Sequence, residues 1–305
     1  MIEHIHMKKK ITKNKSGENH FFSHKNMRKI IVIGGSNVDV ITKSDHTFRL
    51  HDSNPGTHDI SFGGVARNIA VDLKVLGHDV TLLTVMPEDV FGKRMTDEAL
   101  HMGIHVIGPS VEVSPMYVSI QNDDGDLIGA IASMESMTYL NARVIERHQA
   151  LILSHDMIIC DTNVSEEVLN TMSQLGHQHK FIELVSIEKA KKVKPFMKHF
   201  NVIKGNEREI EALFGSSDHT HVQKMIEKQR VIMTCGEKGV YEFGIRPSYF
   251  LGEIVKPVNT SGAGDAFFAG YIDGMIHDID PLERGYDIAK RALLNHGSTI
   301  KGAYK

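Results

Sequence analysis

The stretch "VNTSGAGDAFFAGYIDGM" (Val258–Met275) decides how the rest of the chain is read. It places Gly262 and Gly264 directly before Asp265, and the aspartate opens an apolar run. A helix built only for packing has no use for these glycines, because glycine costs about 1 kcal/mol against alanine inside a helix. The start of a helix is different. Its first N–H groups lack intrahelical partners and carry a partial positive charge, and glycine lets an anion approach them closely. The string therefore reads as an anion cradle at the mouth of a helix over Ala266–Met275. Asp265 lies in the first turn, beside the anion. A carboxylate there is repulsive unless it has work to do. The economical role is general base: it takes the proton of an alcohol that attacks a phosphoryl group, while the cradle stabilises the spreading charge. An ordinary capped helix with a packing glycine is the plain alternative.

The chain around this stretch alternates between two periods. "KIIVIGG" (Lys29–Gly35) is a short β-branched run ending in a glycine turn, and "DVTLLTVM", "DMIICDTN" and "VIMTCG" repeat the type. "ARNIAVDLKVLG" (Ala66–Gly77) spaces its apolar residues as a helix face and closes on glycine. "GEIVKPV", just before the cradle, also reads as a strand. Alternating strands and helices predict a mostly parallel sheet covered on both faces, with ligands beyond the carboxyl ends of the strands. One segment departs from this. "SPMYVSIQNDDGDLIGAIAS" (Ser114–Ser133) alternates polar and apolar around an Asp-Gly turn and predicts a hairpin. With "HDSNPGTHDISFGG" (His51–Gly64) it forms a small second sheet, a lid drawn from about residues 48–62 and 112–132.

The bulk properties exclude several classes. A formal net charge of −3 gives no global reason to expect nucleic acid or a membrane as partner, and no apolar run approaches the roughly 18 residues of a span. The two cysteines, Cys160 and Cys235, end apolar runs and read as reduced thiols of a cytoplasmic protein. The histidines are scattered, and the pairs His4/His6 and His219/His221 read as surface residues rather than a metal site. Met1–Asn26 is basic, polar and without period, and reads as a disordered arm or an upstream start ahead of a domain over 27–305.

"NTSGAGDAF" and "FGGVARNIAVDLKVLG" together resemble the two signatures of the PfkB, or ribokinase-like, carbohydrate kinases, in the right order. "GGSNVDV", "SNPG", "DTN" and "ELVSIEKAKKVKP" add a resemblance to the pseudouridine kinase branch of that family. The resemblance implies a three-layer α/β/α sandwich with a small β lid, which phosphorylates the 5′-hydroxyl of pseudouridine with ATP and Mg2+. It implies Asp265 as catalytic base and Gly262, Ala263 and Gly264 as the anion hole. Asp39, Gly63, Gly64, Asn68, Asn163 and Ser133 fall to the nucleoside. Asn206, Thr234, Gly236 and Gly239 fall to the nucleotide, and Glu209 to magnesium through water. Asn259 stands where the wider family has an aspartate near a monovalent-cation site, so K+ is an optional cofactor. A homodimer through the lid is the implied assembly.

Some residues depart from the family pattern: Pro87 for a glycine, Leu184 for a proline, Ser133 for an aspartate, and the tail "NHGSTIKGAYK". Taken without the resemblance, Asn206 and Glu209 are also a capping box, Asp39 a strand-end cap, Asn68 a locally bonded helix residue, and "TCGEKGV" a common turn. Two other functions stay open. One is a kinase of another acceptor, such as ribose, fructose or an adenosine-like nucleoside. The other is a non-catalytic nucleoside-binding protein of the same fold.

Overall fold

The computed structural model describes residues 27–295 and 297–301; the basic arm expected at Met1–Asn26 lies outside them. In chain order the first strands are β1 (Lys29–Ile33), β2 (Asn37–Ser44), β3 (Gly56–Gly63), β4 (Asp79–Leu83), the two-residue β5 (Met86–Pro87), β6 (His105–Ile107), the equally short β7 (Ser110–Val111), β8 (Met116–Gln121) and β9 (Leu127–Ser133). Then come β10 (Met157–Asp161), β11 (Lys180–Glu183), β12 (Val202–Asn206), β13 (Arg230–Thr234), β14 (Val240–Phe243) and β15 (Ser248–Phe250). The helices are α1 (Val65–Val75), α2 (Val90–His101), α3 (Ala142–Arg147), α4 (Gln149–Leu153), α5 (Glu166–Gln174), α6 (Ile187–Lys191), α7 (Glu207–Phe214), α8 (His219–Met225), α9 (Ala263–His277) and α10 (Pro281–Leu293).

Among the described residues nine strands form one sheet, ordered β15-β14-β13-β12-β11-β10-β1-β4-β6. All its pairings are parallel except those of β14 and β15 at one edge. Strands buried on both faces need apolar residues at every position, and "IIVI", "MIIC" and "RVIM" supply them. Alternate residues then serve opposite layers. Ile31, Ile158, Ile182 and Val231 pack with Val168 and Leu169 of α5 and Ile210 of α7. Ile30, Ile159, Val202 and Ile232 pack with Ile69 of α1 and Phe268 and Ile272 of α9. The result is three layers, an α/β/α sandwich. The chain leaves β1 toward β4 and β6, and later returns to β1 on its other side with β10. Ligands gather beyond the strand ends at such a switch point.

A second sheet, ordered β3-β2-β8-β9, stands apart. Its hairpin turns at Asn122–Asp126, where Gly125 takes φ 94° and donates its N–H to Asn122 O at 3.0 Å. Two sequence expectations need correction here. Asn37–Ser44, left outside the lid in the sequence reading, is a full strand of this sheet, while residues 48–55, expected in the lid, form no strand. "NVDVITKS" alternates and so fits a half-covered sheet. "GEIVKPV" forms no strand either. Pro257 has no N–H for a ladder, and the segment lines a cavity instead. Both cysteines are free thiols. Among the described residues no helix is long and apolar enough to cross a membrane.

Candidate active site

Helix α9 begins where its glycines allow. Gly262 is the N-cap at φ 76°, a left-handed conformation, and Ala266 N–H is bonded to Gly262 O at 2.8 Å. The N–H groups of Ala263, Gly264 and Asp265 precede that bond, at the end of the helix where donors have no helical acceptor. A Cβ on Gly264 would stand 2.9 Å from Lys204 Nζ. The Lys204 ammonium therefore lies against the same first turn, and the cradle is both a helix mouth and a buried cation.

Asp265 is buried beside it. Its Oδ2 accepts from Asn68 Nδ2 of α1 at 2.8 Å. Burial lifts its pKa to about 6; Lys204 and the Asn68 bond pull it down, and Asp161 and Glu209 push it up. Lys204, in the middle of β12, is buried and donates to Glu183 Oε1 of β11 at 2.7 Å. Burial opposes its charge, but Glu183 and Asp265 outweigh that and hold it cationic. Burial likewise lifts Glu183 to about 8, with Lys204 opposing. A single ammonium thus serves several carboxyl groups, and Asp265 is left as a base poised near neutral pH.

The loops beside the cradle are organised by Asp161, fully buried at the end of β10. Its carboxylate accepts from Gly35 N at 2.9 Å, Ala66 N at 2.9 Å, and Asn163 N and Nδ2 at 2.8 Å. It therefore joins the turn after β1, the start of α1 and the loop after β10, all at the switch point. Asn163 is drawn in by Asp161, and its Oδ1 accepts from Lys189 Nζ of α6 at 2.5 Å. Asp39, on β2, accepts from Asn37 Nδ2 at 2.6 Å. Burial raises its pKa, against Asn37 and Arg67. A Cβ on Gly63 would run into Asp39 Oδ2, so the glycine leaves that carboxylate its room. Gly64 caps α1 with φ 97°.

Beyond α9 a cavity of about 420 Å³ is lined by Thr234, Gly236, Gly239, Phe250, Ala263 and Gly264, among others. Three of the four residues assigned to the nucleotide from sequence share it with the cradle. Asn206 and Glu209 form a complete capping box at the start of α7. Asn206 N and Nδ2 each donate to a Glu209 carboxylate oxygen at 2.8 Å, and Glu209 N donates back to Asn206 Oδ1 at 3.0 Å. Asn259 Oδ1 accepts from Ser261 N at 2.9 Å.

Ser133 is a correction. It pairs with Met116, which pairs with Val38, and side chains directly across a sheet share a face. Asp39 lies on the other face, together with Ser61 and Tyr117. The site carboxylates and cation missed in the sequence, Asp161, Glu183 and Lys204, had a legible signal. Asp161 and Glu183 each end an apolar strand and Lys204 interrupts another, and a charge there is costly to bury without a purpose. His219 and His221 are occupied elsewhere: the His219 ring packs tilted against Tyr241, centroids 4.0 Å apart, and His221 Nε2 meets Phe214 O at 3.0 Å.

The sequence of the chain also matches that of a known family. The pattern of the pfkB family carbohydrate kinases spans residues 27–294. The chain belongs to that family. The pseudouridine kinase of Escherichia coli (strain K12) is 30% identical over 265 residues, 81% of this chain and 84% of that one. A carbohydrate kinase from Agrobacterium tumefaciens has the same fold, with a TM-score of 0.80 at 24% identity, covering 90% of this chain and 94% of its own. The ribokinase of Thermotoga maritima superposes with a TM-score of 0.74 at 19% identity, over 89% and 95%. The fold of this pfkB kinase is therefore ribokinase-like.

Proposed function

We propose that this pfkB kinase transfers the γ-phosphoryl group of ATP to the 5′-hydroxyl of pseudouridine. The observation that carries the reading is Asp265, a buried carboxylate at the mouth of α9, beside Lys204 and the nucleotide-sized cavity. The likeness to pseudouridine kinase supports the choice of acceptor. Asp39 accepts from the ribose hydroxyls, and Gly63 and Gly64 bring the backbone close to the sugar. Asn163, held by Lys189, faces the base. Asp265 takes the 5′-hydroxyl proton as that oxygen bonds to the γ-phosphorus and the bridging oxygen leaves with ADP. The N–H groups of Ala263 and Gly264 and the Lys204 ammonium hold the charge that spreads over the transferred group. Thr234, Gly236 and Gly239 line the adenosine end.

Magnesium supplies charge neutralisation to the polyphosphate. The donors present fit an ion held through water, because both Glu209 oxygens already accept from Asn206 and magnesium keeps several of its waters. Asn259 offers a monovalent cation one amide oxygen, shared with Ser261 N–H.

The experiment is a phosphorylation screen with ATP and magnesium across pseudouridine, uridine, adenosine, ribose and fructose. Pseudouridine is expected to be preferred; equal turnover of uridine or a free sugar would remove it as the acceptor. One observation favours a second reading, a free pentose as acceptor: the sugar side has Asp39, while Ser133, expected to meet the base, faces the other way.

A further inference from the structure

The hydrogen bond from Asn68 to Asp265 does not end at Asn68. Asn68 Oδ1 accepts from Ser298 Oγ at 3.2 Å. Ser298 belongs to the segment after α10, and that segment is fixed on both sides. Asn295 Nδ2 donates to Thr299 O at 3.0 Å, and Ile300 N donates to Asp72 Oδ1 of α1 at 2.8 Å. The Ile300 side chain is fully buried with Ala266 of α9 and Ile288 and Ala292 of α10. The Ser298 carbonyl lies so close to Gly262 that a Cβ there would collide with it. One residue thus touches the turn that opens the anion cradle and the amide that faces the base.

We infer that Ser298 is a positioning residue for phosphoryl transfer: its hydroxyl anchors the far end of the Asn68 amide and so keeps the amide N–H in line with Asp265. The inference rests on the kinase reading above. A primary amide turns easily about its last torsion, and a single hydrogen bond leaves it free to swing. Bonds at both ends fix its plane. The need is greatest in mid-reaction, when Asp265 has taken a proton and no longer attracts the amide N–H as a carboxylate does. The segment carrying Ser298 is anchored through Ile300, so the base is tied to the α1–α9–α10 layer rather than to a mobile side chain.

The test compares wild type with Ser298→Ala and Ser298→Thr. The alanine variant is expected to lose between about two- and tenfold in kcat, the range commanded by one lost hydrogen bond. KM for ATP and acceptor should hold, and threonine, which keeps the hydroxyl, should restore kcat. The second readout needs no activity. A carbon-13 NMR titration of the aspartate carboxyls, with Asp265 assigned through Asp265→Asn, should show its pKa rising in Ser298→Ala and returning in Ser298→Thr. The other groups bearing on Asp265 are Lys204 of β12, Asp161 of β10, Glu209 of α7, Glu183 of β11 and Asp72 of α1. All remain in the variants, so the shift reports the lost anchor. An unmoved Asp265 titration overturns the inference whatever the kinetics. A wild-type protein that phosphorylates no acceptor, with Asp265 still responding to Ser298, overturns the kinase reading alone.

Discussion

Asp265 meets two opposing demands. It must ionise to act as a base, and burial resists that, leaving it at about pH 6. Asp265→Asn is expected to lower kcat by about 10²–10⁴-fold, the usual worth of a general base; turnover within a few-fold of wild type would remove it from that role. The same substitution has a stability signature. A carboxyl whose pKa rises on folding from 3.8 to about 6 helps folding below pH 3.8 and loses that help as pH climbs through 6. Above pH 7 the wild type therefore carries a penalty of roughly 3 kcal/mol, about two pKa units, with the attraction of Lys204 already counted in it. Asp265→Asn should melt higher than wild type at pH 8, and the gap should narrow toward pH 5. A gap that is constant or reversed would mean that the carboxyl is not strained by burial. On the substrate side, Tyr117 shares a sheet face with Asp39. Tyr117→Ala should raise KM for a nucleoside more than for free ribose, since an aromatic ring beside the carboxylate proposed to bind the sugar is placed to stack a base. Equal effects on both acceptors would deny it that contact.

The first turn of α9 is where sequence and structure agree most closely, and the reason is physical. Two glycines before an aspartate at a helix start have few uses, so the string is informative without tertiary knowledge. The structure adds a second reason for Gly262: besides φ 76°, it needs room for the Ser298 carbonyl. Gly262→Ala should therefore destabilise by at least the 1–3 kcal/mol typical of a strained left-handed residue and lower activity with it. A melting temperature within a degree of wild type would contradict both constraints. Other elements were less legible. β2 was missed because a glycine turn precedes it, and the alternation of "NVDVITKS" becomes a strand signal only when β3 and β8 flank it. "GEIVKPV" misled in the opposite direction: its pattern suits a strand, but the sheet ends at β15. Asn206 and Glu209 read equally as capping box and as ligand residues, and the box is fully formed. Lys204 and Glu183 escaped notice because each belongs to a short strand whose partner is set by topology, not by sequence distance. Ser133 could not be placed correctly from sequence, since its face depends on register with Met116.

At the scale of the molecule, the two larger sheets treat their surfaces differently. The large sheet is covered on both faces by helices. The second sheet has one face toward Asp39, and on the other Val40, Ile60, Val118, Ile120 and Ile131 fall into register. Ile131 is 72% exposed, Ile60 42% and Ile120 38%. Every residue of β9 is exposed, and β9 is also the edge of its sheet. An apolar face bounded by an open strand edge is a hazard that proteins rarely leave uncovered. Its position away from the Asp39 face means that covering it does not block the site. The expected cover is a second copy of the chain, the assembly through the lid that the sequence suggested. Sedimentation equilibrium should find a dimer, and Ile131→Lys should shift it toward monomer, because a charge placed on the edge strand of the apolar face is costly to bury. The same variant should raise KM for the acceptor more than for ATP, since the sheet that loses its cover carries Asp39 and the cavity proposed for the nucleotide lies at the far edge of the large sheet. A wild-type chain that sediments as a monomer, or an Ile131→Lys dimer of unchanged strength, would leave that face without its proposed cover.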